Sequence, residues 1–344
     1  MIQGSLSSFR EQYDAARTQA AVVDRAMHGR LTLTGADRRS FLHGLFTNDI
    51  AALAPGQGCY TAYLTPQGRM IADLWVYELG DSILLVVDRT LKDAMLSRLD
   101  QLIFAEDVQI RDSSDEYWAG ALVGPAAAGF VADVVQGATR DELLALPEHA
   151  NRRVSFEGEP AVVLRITDVG EPGYEILVPR AHQEKIEQAL RPLPRVGPDV
   201  AEALRIESGL PKFLVDMTDE TIPLEAGIES RAISMTKGCY VGQEVIVRVL
   251  HRGHGRVSER LVPLVLESGG PPAAGAEVRV SGQSAGRITS SAISPALGKP
   301  IALAYLQRTL AAAGTEVEVD GAKGVVRDAP VTDRLRGGST SSLP

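Results

Sequence analysis

The hydropathy pattern changes character near residue 256, and that change limits the folds open to the chain more than any single motif does. From Val257 onward the apolar residues fall only in short runs, at 261–266, 277–280, 286–290, 301–305, 316–319 and 324–327. Gly and Pro separate them, as at Gly269-Gly270-Pro271-Pro272. Short evenly spaced runs with turn residues between them predict a small all-β barrel or sandwich. Before residue 256 the periods are mixed. The segment 31–33 reads as a strand, Gly35 to Asp37 as a turn and cap, and Phe41, Leu42, Leu45 and Phe46 recur at helical spacing. A β meander follows over 59–64, 70–79 and 83–87, parted by Pro66-Gln67-Gly68 and Gly80-Asp81. Helices are predicted over 91–102, 181–190 and 198–208, the last stopped by Gly209 with Pro211 behind it. Further strands are predicted near 117–123, 162–167 and 174–178. The chain therefore reads as an α+β core over 1–255, a β-barrel over 256–335 and a Gly/Ser-rich flexible tail over 336–344.

Composition removes whole classes of chemistry. At 344 residues a sizeable core forms readily. The two cysteines, Cys59 and Cys239, are too few and too far apart for a disulfide scaffold, a zinc finger or a cluster held by four thiolates of this chain. Gly56-Gln57-Gly58 and Gly253-His254-Gly255 lack the third glycine of a dinucleotide fingerprint, and no Gly-Lys-Ser/Thr loop or His-Glu-x-x-His helix occurs, so no metal site is expected. A net charge of −9 argues against a dedicated nucleic-acid binder. The basic run from Arg248 to Arg256 is the one place where a polyanion would be met. No apolar run approaches the roughly 18 residues of a spanning helix. Arg10, Glu11, Asp14 and Arg17 stand where a signal peptide would be apolar. A cytoplasmic monomer without membrane contact is expected.

Four constellations carry chemistry. The densest is Lys237-Gly238-Cys239-Tyr240-Val241-Gly242-Gln243-Glu244. Val245, Ile246, Val249 and Leu250 form a helical stripe behind it, so a helix is expected to start near Gly242 with Cys239 just ahead of it. The positive end of that helix and the Lys237 ammonium two residues away would both favour a thiolate. A small buried cysteine packed at a tight turn is the plainer alternative. On the strand predicted over 70–79, side chains alternate, so Asp73, Trp75 and Tyr77 share one face, and Tyr60 on the neighbouring run can join them. A carboxylate between aromatic rings suits a flat heterocycle that stacks and donates N–H bonds. A half-buried sheet face with a solvated acid is the commoner meaning of such a pattern. Glu175, after Gly170-Glu171-Pro172-Gly173-Tyr174, is either a ligand for an amine or a surface acid. Arg205, with Glu207 on the same predicted helix, reads in isolation as half of a surface ion pair.

Taken together these segments resemble the glycine-cleavage T-protein (aminomethyltransferase) superfamily. The resemblance is carried by Leu204-Arg205-Ile206-Glu207-Ser208-Gly209, Pro223-Leu224-Glu225-Ala226-Gly227, Gly173-Tyr174-Glu175 and the run from Ser294 to Tyr305. The octapeptide Lys237 to Glu244 resembles the signature of one branch, the YgfZ-type folate-binding proteins that support iron–sulfur enzymes and tRNA modification. The resemblance implies a three-lobed, cloverleaf-like arrangement: two mixed α/β, ferredoxin-like lobes and a C-terminal β-barrel, with lobe boundaries that are discontinuous in sequence. It implies tetrahydrofolate, or a one-carbon-substituted folate, as the bound cofactor. Asp73 falls at the carboxylate next to the folate's reactive nitrogens, and Tyr60 and Tyr77 at aromatic positions around it. Glu175 falls at the acid that reads the pterin amine edge, Arg205 at an arginine of the same channel, and Cys239 at the cysteine particular to the YgfZ branch. Asp73 and Cys239 are thereby the candidate catalytic residues. Ala72 departs from the pattern, since T-proteins commonly have a second aspartate there. The function implied is maintenance or repair of iron–sulfur enzymes, including tRNA-modifying ones, with those enzymes or their assembly proteins as partners. The alternatives are an aminomethyltransferase of the glycine cleavage system and a non-catalytic folate-binding adaptor.

Overall fold

The short runs beyond residue 256 close on themselves. In the computed structural model, which describes residues 8–251 and 257–332, they form a six-stranded closed barrel in the order Glu259–Leu266, Lys299–Gln307, Gln283–Ser294, Glu277–Val280, Glu316–Val319 and Ala322–Val326. The last strand pairs back onto the first, with Leu264 opposite Val326. Alternation puts Leu264, Leu266, Ala302, Ala304, Leu306 and Val326 inside. The outward residues Ile301, Leu303 and Tyr305 are buried in turn against Ile206 of the helix Pro198–Glu207. That helix ends where Gly209 takes up a left-handed φ of 69°.

The chain divides into two compact units that interleave along the sequence. One comprises Met1–Thr167, Glu171–Gly197 and Ser230–Gln243; the other comprises Asp168–Gly170, Pro198–Glu229 and Glu244–Pro344 and contains the barrel. The boundary expected from the hydropathy pattern, at 255/256, is linear. The tail expected over 336–344 lies outside the described residues, as do Arg252, His254 and Arg256 of the basic run.

The first unit holds two sheets, one antiparallel throughout and one with a single parallel pair, Ala21–Asp24 with Arg195–Val196. The five-stranded one runs Gly58–Leu64, Met70–Glu78, Ile83–Asp88, His28–Thr34, Gln109–Asp112. Its Leu31, Leu33, Ala72, Leu74, Val76 and Leu85 pack with Leu42 and Phe46 into one core. The six-stranded sheet runs Arg195–Val196, Ala21–Asp24, Tyr117–Val123, Gly173–Pro179, Glu159–Ile166, Asn151–Phe156. Tyr174, Ile176, Val178, Leu122 and Val163 pack with Val131 and Ile186 into a second core. Four strands escape the sequence pattern: Arg195–Val196 is two residues, Ala21–Asp24 and Gln109–Asp112 are four residues each, and Asn151–Phe156 carries two arginines. Among the described residues no helix is long and apolar enough to cross a membrane.

Candidate functional site

In the strand Met70–Glu78, burying Ala72, Leu74 and Val76 in the core turns Asp73, Trp75 and Tyr77 to the opposite face. Pairing with Gly58–Leu64 sets Ala62 opposite Asp73 and Tyr60 opposite Trp75. Tyr60 thereby reaches the same face, and its hydroxyl donates to Asp73 Oδ2 at 2.7 Å. The Tyr60 and Trp75 rings lie 5.5 Å apart, tilted by 44°, and His28 meets Trp75 edge-on at 5.9 Å. Burial, reinforced by the Asp73 charge, pushes the Tyr60 phenol well above its ordinary range, so it stays a hydrogen-bond donor. Tyr77, on the same face, is fully buried.

Sequence reasoning missed Arg231. Its guanidinium sits 5.2 Å over the Tyr60 ring and pairs with Glu148 at 3.2 Å. No motif marks it. The short helix Glu229–Ala232 brings it there, held by Asn48 Nδ2, which donates to the Arg231 carbonyl.

Glu175 is 1% exposed, which excludes the surface-acid alternative. Arg25 Nε donates to its Oε2 at 2.8 Å and Arg30 Nη2 donates to its Oε1. Burial alone would raise its pKa; Arg25 and Arg30 override that and hold it at about 2. Both oxygens are already committed within the protein. Any amine edge would have to share this carboxylate with two guanidiniums.

Arg205 lies in the other unit and is likewise not the exposed pair its sequence context suggests. It is ion-paired to Glu202 and, at 2.7 Å, to the fully buried carboxylate of Asp216. It also donates to the carbonyl of Leu210. Asp216 in turn accepts from the Lys212 backbone and from Thr289 and Ser290. This network ties the helix Pro198–Glu207 to the barrel wall.

The octapeptide precedes the helix Gln243–His251, and Cys239 is exposed just ahead of it. Most of its neighbours are scaffold. Tyr240 is buried under the Lys237 ammonium, 5.1 Å from its ring centre. Gly242 has a φ of 83°, and a Cβ there would come within 2.5 Å of the Thr65 carbonyl oxygen. Lys237 does not do what its spacing suggests. Its Nζ donates to the carbonyls of His43, Phe46 and Asn48, so its charge is spent on backbone oxygens. After burial, the charges it feels most are those of Asp49 and Cys59. Cys59 is the contrasting thiol: it packs against the first core, and burial pushes it up to about 12. Among the described residues, no three His, Cys, Asp or Glu are grouped to hold a metal ion.

Comparison with known proteins adds the context for this geometry. The family profile described as the GCVT N-terminal domain matches residues 3–237, and that of the glycine cleavage T-protein C-terminal barrel domain matches 259–335. An aminomethyltransferase of Streptomyces coelicolor is 31% identical over 317 residues, covering 90% of this chain and 84% of that protein. One of Bacillus subtilis is 31% identical over 329 residues, covering 93% and 89%. The crystal structure of the glycine cleavage system aminomethyltransferase T of Bartonella henselae shares the fold, with a TM-score of 0.85 at 23% identity over 95% of this chain and 90% of that one.

Proposed function

Because the chain belongs to the glycine cleavage T-protein family, we propose that it binds tetrahydrofolate on the face carrying Asp73 and moves a one-carbon unit there in the manner of the aminomethyltransferases. The observation that carries this reading is the Tyr60–Asp73 hydrogen bond beside Trp75. The donor set fits the ligand: a pterin is flat and rich in N–H groups, and here a carboxylate stands among aromatic rings. Tetrahydrofolate, when bound, supplies the nitrogens that take up the one-carbon unit. Asp73 would hold an N–H of the ligand and accept its proton, while Tyr60 orients the carboxylate by donating to Oδ2. The partner of this reading is a carrier protein bearing an aminomethyl group.

The test is to mix the purified protein with tetrahydrofolate and an aminomethylated carrier. Ammonia release that disappears in Asp73→Asn is expected; absence of release from the wild-type protein eliminates transfer. Quenching of tryptophan fluorescence by tetrahydrofolate reads binding separately. Binding without release, and without any cellular effect of Asp73→Asn, would leave a folate-binding adaptor.

A second reading is favoured by the Cys239 turn. Lys237, Tyr240 and Gly242 are accounted for by packing and hydrogen bonds, whereas Cys239 faces solvent. This supports a YgfZ-type role, in which a folate-binding protein sustains iron–sulfur enzymes, including those that modify tRNA. One thiol cannot hold a cluster alone, so the cysteine would act with a partner. Replacing the native protein by Cys239→Ala in cells should then abolish its contribution to tRNA thiolation and to growth under oxidative stress. Full complementation by Cys239→Ala would remove this reading and leave the transferase reading intact.

A further inference from the structure

We propose that Lys237 is a positioning residue: its ammonium group locks the turn that presents Cys239 onto the end of the helix Arg38–Leu45. The inference rests on Cys239 being the working thiol, but its test needs neither folate nor a partner.

The C-terminal carbonyls of a helix have no intrahelical donor and carry the negative end of the macrodipole. Lys237 Nζ fills that position, donating to His43 O at 2.5 Å, Phe46 O at 2.6 Å and Asn48 O at 3.0 Å. An ammonium group has three N–H bonds and no acceptor, so three carbonyls saturate it. Tyr240, the residue after Cys239, covers its other side. The same segment is pinned at two more points. Thr47 Oγ1 donates to Ala232 O at 2.6 Å, and the Ser234 backbone donates to Thr47 O at 3.1 Å. An apolar anchor would hold a turn without the cost of burying a cation. A buried ammonium adds direction, because only one placement satisfies all three carbonyls.

The lock depends on the proton. The titratable groups that face Lys237 are His43, Asp49, Cys59 and Tyr240. Burial outweighs the favourable charge of Asp49 and brings the lysine to about 8. A neutral amine has two donors and a lone pair against three oxygens, so the turn loosens above that pH. The fold does not weaken with it. The folded pKa lies below the ordinary amine value, so over that window the unfolded chain binds more protons and linkage raises stability with pH. Loosening of the turn and loss of the fold are therefore separable.

A nitroxide spin label on Cys239 reads the turn directly, in a background where Cys59→Ala removes the second, half-buried thiol. The expected result is an immobile spectrum at pH 6.5 that converts to a mobile one with a midpoint near 8. In Lys237→Met the immobile component should be lost at every pH. In Lys237→Arg, which keeps a charge that does not titrate, the immobile component should survive to pH 9.5. A wild-type spectrum unchanged from pH 6.5 to 9.5, a Lys237→Arg protein that still shows the transition, or a folded Lys237→Met protein with a wild-type spectrum each overturns the lock. Should Lys237→Met not fold, the wild-type and Lys237→Arg titrations decide alone. Should the lock hold while Cys239→Ala complements in cells, the role of the cysteine fails and the lock stands.

Discussion

Two strands of this molecule follow the same plan and end with different chemistry. Met70–Glu78 and Gly173–Pro179 each lie inside a sheet, and each packs alternate residues into a core: Ala72, Leu74 and Val76 in one, Tyr174, Ile176 and Val178 in the other. Each turns a carboxylate to its opposite face. At Asp73 the carboxylate meets a phenol, and Arg231 sits on the ring of that phenol. At Glu175 two guanidiniums bind the carboxylate itself. The backbone pattern thus sets where an acid points, and its partners decide what chemistry it carries. Glu175 is a buried counter-ion to two arginines; Asp73 takes a neutral donor, the Tyr60 hydroxyl, on its Oδ2.

The sharpest way to break this comparison is at Glu175. Glu175→Gln removes the anion that Arg25 and Arg30 share, and one-sided loss of a buried pair costs about 3–5 kcal/mol. Chemical denaturation should show a loss of that size. A loss near zero would mean that the arginines are neutralised elsewhere and that Glu175 is free for a ligand. The pH dependence follows the same sign. The folded pKa of about 2 lies below the ordinary 4.5, so the stabilisation is complete above 4.5 and is lost as pH falls towards 2. The acid limb of the stability curve should be shallower in Glu175→Gln than in the wild-type protein.

Tyr60→Phe is the next largest change. It deletes the hydroxyl that donates to Asp73 and leaves the ring in place, at a cost of about 1–2 kcal/mol for a buried acceptor deprived of one donor. Tetrahydrofolate affinity, read by tryptophan quenching, should fall by about tenfold as the carboxylate loses its fixed orientation. If affinity is unchanged while stability falls, Asp73 belongs with Glu175 as a structural acid, and the difference between the two strands disappears.

These two sites also show what was legible in the sequence. The shared face of Asp73, Trp75 and Tyr77 follows from a period of two along one uninterrupted strand, which nothing elsewhere in the chain can alter. The partners of Glu175 stand 150 and 145 positions away, so no local pattern reports them. The same limit applies to Lys237: spacing puts it beside Cys239, but its acceptors are backbone carbonyls near residue 45, which every residue type possesses. The barrel was legible because each of its strands is short, alternating and bounded by turn residues. The strand Gln109–Asp112 was not, because no residue in it is fully buried and it lies at the edge of its sheet.

The smallest effect is expected at Arg231, and it bears most directly on the contrast. Its bond to Glu148 is part-exposed, and such pairs contribute little. Its stacking over Tyr60 is worth about 0.5–1 kcal/mol. Arg231→Ala should therefore lower stability by no more than about 1 kcal/mol, against several at Glu175. The Tyr60 phenol, which Arg231 now pulls down against burial and Asp73, should titrate higher still, as seen in its ultraviolet difference spectrum. Arg231→Lys keeps the charge and loses the flat stacking surface, so it separates the two contributions. A Glu175-sized loss in Arg231→Ala would mean that this cation neutralises Asp73 through the ring, and the two carboxylates would then differ only in geometry.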